Sequence, residues 1–76
     1  MNIEIYTQKK CVSCEKAKIL FESLGVEYIE RRVDSDSALM RKLIFELDSS
    51  STPTIVINGN IIRGFQEEEI INLISV

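Results

Sequence analysis

Thr54-Ile55-Val56-Ile57 is an unbroken run of β-branched residues in a chain of only 76. Such side chains suit a pleated strand. A run without polar alternation has to be covered on both faces, so it reads as a central strand. Asn58-Gly59-Asn60 follows as a hairpin turn signal, and Ile61-Ile62 then supply a short antiparallel partner. A chain of this length makes one small domain, spanning residues 1–76, with a core near the lower size that folds without staples.

The segments ahead of this hairpin alternate in type. Met1, Ile3 and Ile5 alternate with polar residues and read as a first strand. Thr7 to Lys10 form a loop. Ala17, Leu20, Phe21 and Leu24 recur at helical spacing, and Gly25 is placed to end that helix in a left-handed cap. Val26 to Val33 read as a second strand carrying Tyr28, Ile29 and Val33. Asp34-Ser35-Asp36-Ser37 is rich in helix-capping side chains. Leu39, Met40, Leu43, Ile44 and Leu47 then mark one apolar face of a second helix. After the central hairpin, Glu67, Glu68 and Glu69 suit the first turn of a last helix, where acids complement the dipole. Ile70, Ile71, Leu73 and Ile74 give that helix its buried side.

The order is β-α-β-α-β-β-α. A strand-helix-strand start requires a right-handed crossover and a parallel pair, whereas the Asn-Gly-Asn turn requires an antiparallel one. An α/β fold satisfies both: a mixed four-stranded sheet with helices on both faces.

Cys11-Val12-Ser13-Cys14 holds the only two cysteines of the chain, between the first strand and the first helix. Cys11 falls at the helix entrance, where unpaired N–H groups point outward and a thiolate is favoured. Cys14 lies about one turn inside and should be more buried. Cys11 is therefore the expected attacking thiolate. Cys14 would resolve the mixed disulfide and leave the pair oxidised. Burial of the pair as an inert core element fits poorly with Ser13, Glu15 and two lysines around it. A zinc site needs about four ligands; the chain has no His and no further Cys, so no metal-ligating residue is assigned.

Charge gathers at this pair. Lys9, Lys10, Lys16 and Lys18 oppose only Glu4 and Glu15 in the first 18 residues of a chain with net charge −3. Lys16 and Lys18 suit a solvated helix face, whereas Lys9 and Lys10 are candidates for partner binding beside Cys11. The acidic balance argues against a nucleic-acid partner. No apolar stretch approaches the roughly 18 residues of a membrane span, so no membrane partner is expected. The start enters strand-like Asn2-Ile3-Glu4-Ile5-Tyr6 with no basic-then-apolar leader, so a cytoplasmic, reducing location is expected. There a lone cysteine pair is catalytic or metal-binding more often than structural. Pro53 enters a buried strand, which suits a strand start or a tight turn. Thr52 and Thr54 flank it with backbone groups available to an extended partner. Arg63 reads either as a solvated side chain at a strand end or as a partner contact near the cysteines. Phe65 reads as core.

These residues carry a resemblance across essentially the whole chain. Ile5-Tyr6-Thr7 leading to Cys11-Val12-Ser13-Cys14, Ala17-Lys18, Gly25-Val26, Thr52-Pro53-Thr54, Asn58-Gly59 and Arg63-Gly64-Phe65 together resemble the glutaredoxin-like branch of the thioredoxin superfamily. The resemblance implies a thioredoxin fold, a nucleophilic Cys11, a resolving Cys14 and a cis Pro53 beside them. It also implies that Thr52 pairs through its backbone with a bound thiol substrate, with Gly64 near the same subsite. Glutathione-dependent members typically show Cys-Pro-Tyr-Cys and a Gly-Gly before the last helix, where this chain has Val12, Ser13 and Arg63-Gly64. The Cys-Val-x-Cys and Gly-Phe pattern is similar to the NrdH-redoxins, without the aromatic residue they often place near Arg63. That similarity implies electrons from a thioredoxin reductase and delivery to protein disulfides, ribonucleotide reductase among them, by a monomer with no bound cofactor. A glutathione-dependent glutaredoxin acting on glutathione mixed disulfides is the alternative. A dimer sharing a metal or an iron–sulfur cluster through Cys11 is a further one.

Overall fold

The β-branched run occupies the interior of the sheet. A computed structural model describes residues 1–75; Val76, the last residue of the expected domain, lies outside them. Strand β3 (Thr54–Ile57) has β1 (Ile3–Thr7) on one side and β4 (Asn60–Arg63) on the other, both antiparallel. Strand β2 (Ile29–Arg32) pairs parallel with the far side of β1, giving the order β2-β1-β3-β4. Helices α1 (Val12–Ser23), α2 (Ser37–Arg41) and α3 (Glu67–Ile74) complete the expected order. The mixed four-stranded sheet is as the sequence requires.

Strand periodicity divides the core into two layers. Ile3, Ile5, Ile55, Ile57 and Ile62 face Ala17 and Phe21 of α1 and Ile70 of α3. Tyr6 faces the other way and packs with Val33 and Leu43, beneath the second helical segment. Each fully buried side chain of the size of Phe21 contributes about 1.5–3 kcal/mol relative to exposure. Helix α1 ends as the glycine predicts. Gly25 has φ +70°, its N–H donates to the Glu22 carbonyl at 3.1 Å, and the Val26 N–H donates to the Phe21 carbonyl at 3.2 Å. This is a Schellman cap, with Val26 packing against the core that Phe21 anchors.

Four local expectations change. Thr7, expected in the loop, is the buried last residue of β1. Leu24, expected in the apolar face of α1, is the cap residue and is exposed. The second strand is shorter than Val26 to Val33, and Ile29 within it is exposed because β2 is an edge strand. The second helix is also not one continuous α-helix. Asp36 caps its start, accepting the Ala38 N–H at 2.9 Å. Beyond Arg41 it widens into a π-helical turn over Lys42–Glu46, where the Leu47 N–H reaches back five residues to the Lys42 carbonyl. An i,i+5 turn carries more residues than an α turn. The four-residue step from Met40 to Ile44 therefore no longer returns to the core, and Ile44 is exposed while Leu43 stays buried.

Candidate active site

Cys11 is the N-cap of α1. Its backbone is extended (φ −109°, ψ 100°), its carbonyl accepts the Glu15 N–H, and its Sγ accepts the Cys14 N–H at 3.1 Å. Sulfur thus takes the place that a Ser or Asp oxygen takes in most caps, at the positive end of the helix dipole. Cys14 lies one turn in with 1 % of its surface exposed, whereas Cys11 is half-buried. The two are joined as a disulfide with Cα atoms 5.2 Å apart, within the ordinary span of such bonds.

The second wall of the site comes from the start of β3. The Thr52–Pro53 peptide is cis and Pro53 is fully buried, as the resemblance implies. The Thr52 hydroxyl donates to Cys11 Sγ at 3.6 Å across 41 residues of sequence. Hydrogen bonds fix this segment from several sides. The Gly64 N–H, from a residue at φ +85°, donates to the Pro53 carbonyl at 2.8 Å. The Thr54 hydroxyl donates to the Ser51 carbonyl at 2.7 Å and shares a further hydrogen bond with the Ser49 hydroxyl. The loop that presents Thr52 is therefore tied to β4 and to its own strand.

Arg63 is an exposed side chain at a strand end, as one sequence reading has it, and takes a further structural task there. Its Nε donates to the Asp48 carbonyl at 2.9 Å and its Nη2 to the Leu47 carbonyl at 2.7 Å. It closes the carbonyl end of the second helical segment while remaining exposed. Lys9 and Lys10 are both exposed beside Cys11, and Lys10 takes the left-handed conformation at φ +54° that turns the chain into the helix.

Sequence reasoning missed two carboxylates. Asp34 accepts the Lys9 backbone N–H at 3.1 Å and a fork from Arg32 at 2.9 and 2.8 Å. It thereby braces the loop ahead of Cys11. Arg32 first, then the Lys9 amide, hold its carboxyl down at about 2. A depressed carboxyl contributes stability that is complete above its unfolded value of about 3.9. That contribution is lost as pH falls through about 2. The Lys9 amide resonance should accordingly stay fixed on acidification to about pH 4 and then move with a midpoint of about 2, as an NMR titration would register. Glu30 is the other. It accepts the buried Thr7 hydroxyl at 2.7 Å and Lys18 Nζ at 3.2 Å, linking β1, β2 and α1. The Thr7 hydrogen bond, with Lys18, holds its carboxyl below the usual range. Its segment also holds Glu27, Arg31 and Arg32, so nothing in the sequence set Glu30 apart.

Among the described residues no group of three or more His, Cys, Asp or Glu is placed to hold a metal, and no helix is long and apolar enough to cross a membrane. A depression of about 480 Å³ lies at the start of β1 and β2, lined by Met1, Asn2 and Tyr28 among others. The cysteines follow the opposite end of β1.

The glutaredoxin family model matches residues 3–62. Glutaredoxin 3 of Escherichia coli K12 is 35 % identical over 63 residues, which is 83 % of this chain and 76 % of that protein. An uncharacterized glutaredoxin-like 8.6 kDa protein in the rubredoxin operon of Clostridium pasteurianum is 33 % identical over 73 residues, covering 96 % and 97 % of the two chains. Among solved structures, the thioredoxin-like protein BC3987 superposes with a TM-score of 0.91 at 40 % identity, over 95 % of this chain and 99 % of its own. NrdH-redoxin from Escherichia coli superposes with a TM-score of 0.88 at 26 % identity, over 96 % and 95 %.

Proposed function

This chain belongs to the glutaredoxin family, and from that premise we propose that it is a dithiol electron carrier reducing protein disulfides through Cys11 and Cys14. The family's general activity is thiol–disulfide oxidoreduction. The observation that carries the assignment of roles is the asymmetry of the pair. Cys11 Sγ caps a helix and accepts N–H and O–H donors, while Cys14 is buried behind it.

In the reduced protein the Cys11 thiolate attacks one sulfur of the partner disulfide. The Cys11–S bond forms as the partner S–S bond breaks, and the departing thiolate takes up a proton. Cys14 then loses its proton and attacks the Cys11 sulfur. The Cys11–Cys14 bond forms, and the second partner thiolate leaves and is protonated. Two electrons have passed from the pair to the partner, whose two thiols take up the proton released by Cys14 and one from solvent, where Cys11 had left its own. The donors on Cys11 Sγ are worth most to its anion, because hydrogen bonds to charged groups are roughly twice as strong as neutral ones. Thr52, beside Cys11, offers its backbone to the bound partner, and Lys9 and Lys10 add positive potential where the partner approaches.

The electron source in this proposal is a thioredoxin reductase. Glutathione carries two carboxylates and one ammonium, and the family's glutathione-dependent members hold one of those carboxylates near the start of the last helix. Here Glu67, Glu68 and Glu69 fill that first turn, so a further carboxylate meets like charge. The NrdH-redoxin neighbour, described as a glutaredoxin-like protein with a thioredoxin-like activity profile, supports this choice and makes ribonucleotide reductase a candidate acceptor. The relatedness to glutaredoxin 3 supports the glutathione-linked reading as second. A cytoplasmic location and a monomeric state complete the proposal. NADPH oxidation, coupled through either a thioredoxin reductase or glutathione with its reductase, tests it directly. Turnover is expected with the first and near-background rates with the second; the reverse result sinks the proposed electron source.

A further inference from the structure

Helix α1 carries apolar side chains on two sides. Cys14, Ala17 and Phe21 form its buried face. Along its outside runs a second row, Val12, Lys16, Ile19 and Ser23, at successive steps of four, three and four. Val12 is 71 % and Ile19 63 % exposed. Lys16, Ile19, Leu20 and Ser23 join Phe65 and Glu67 in lining a groove of about 290 Å³. Its lining combines apolar Ile19, Leu20 and Phe65 with one charge of each sign, Lys16 and Glu67, a mixture that suits a protein contact.

The groove neighbours the redox site along the chain by two routes. Val12 stands between the cysteines, one helical turn from Lys16. Phe65 follows Gly64, whose N–H holds the Pro53 carbonyl. A protein that brings a disulfide to Cys11 can therefore lay neighbouring chain along α1 towards this groove. Resting on the dithiol reading above, we propose that the groove docks an extended segment of the disulfide-bearing partner and seats one large aliphatic side chain from it.

The geometry also gives the position of that side chain. Ile19 lies eight residues beyond Cys11, which at about 1.5 Å per residue is about 12 Å along the helix. An extended partner advancing about 3.3 Å per residue covers that in three or four residues from its cysteine. Seating one side chain falls far short of the roughly 1,200–2,000 Å² that stable complexes bury. The contact therefore suits a transient encounter rather than a second copy of this chain. Glutathione has no side chain at such a distance from its cysteine, so the groove adds nothing to its binding and separates peptide-borne disulfides from glutathione.

The test uses a set of single-cysteine Gly/Ser peptides, each linked through its cysteine to thionitrobenzoate. A leucine is placed at each of positions two to six on either side. Attack by the reduced protein forms the Cys11–peptide bond and releases coloured thionitrobenzoate, followed by stopped flow. Leucine three or four residues from the cysteine, on one side only, should raise the rate about tenfold over the leucine-free peptide, a typical value for one well-seated apolar group. In Ile19→Ser, whose side chain is exposed in the native fold, that ratio should collapse towards one. Equal rates at all positions, or a preference that survives Ile19→Ser, overturns the groove assignment alone. Failure of every peptide to react overturns the dithiol reading and the groove with it.

Discussion

Cys11→Ser should reduce disulfide reductase turnover to background, a loss of about a thousandfold or more, while leaving the fold in place. The hydroxyl is a far weaker nucleophile than a thiolate at neutral pH, and the remaining thiol, Cys14, is buried away from an approaching partner. The structural consequence runs the other way. Cys11 Sγ caps α1 by accepting the Cys14 N–H, and serine is among the best capping residues. The variant should therefore keep its helix and melt close to the reduced wild-type protein. A coupled reductase assay beside a circular-dichroism melt checks both halves. Retained turnover sinks the assignment of Cys11. Lost turnover together with a lost fold would leave the asymmetry of the pair as the result needing explanation.

Cys14→Ser separates the two halves of the reaction. Attack by Cys11 remains possible, but the internal thiol that should release the partner is gone. One equivalent of a protein or peptide disulfide is expected to end as a covalent adduct on Cys11, visible by mass spectrometry and reversed by dithiothreitol. Multiple turnover should fall by two orders of magnitude or more. Cys14 is almost fully buried, so the introduced hydroxyl also destabilises the fold, by about 1–3 kcal/mol. The adduct should therefore be measured well below the melting temperature. Adding glutathione gives the experiment a second use. If glutathione attacks the adduct and restores turnover, the glutathione-linked reading gains; if the adduct persists, release depends on the buried thiol. Absence of any adduct would contradict the proposed first step.

The parts of this molecule that were legible in the sequence are those that local chemistry decides. The β-branched run from Thr54 to Ile57 had to be interior, and β3 has strands on both sides. Gly25 could end α1 because a glycine tolerates φ +70°. Cys11 could be placed at a helix entrance because the helical spacing begins just beyond it. What stayed hidden depends on partners distant in the chain. Nothing in Lys42 to Glu46 announces a π turn; its carbonyl end is held by Arg63, and Ser49 beyond it donates its N–H to the Leu43 carbonyl. Ile29 looks like a core residue until its strand proves to be at an edge. The site divides in the same way. The cysteine pair, with Cys11 at the helix entrance and Cys14 buried a turn inside, was readable, and the cis Pro53 came through resemblance. By contrast, Asp34 bracing Lys9 and Thr52 donating to Cys11 cross 25 and 41 residues of sequence. Contacts of that range follow from the assembled sheet, not from spacing. Arg63 is the clearest case, since its charge suggested solvent or a partner while its donors serve two backbone carbonyls.

Competition between the two thiols for a single alkylating reagent bears most directly on the central claim, that the pair is a polarised dithiol with Cys11 as its thiolate. The fully reduced wild-type protein would be treated near neutral pH with less than one equivalent of iodoacetamide, and the label located by peptide mass mapping. Nearly all of it is expected on Cys11, the half-buried sulfur at the helix N-terminus, with Cys14 labelled only after unfolding. Equal labelling of the two, or labelling of Cys14 first, would contradict the account.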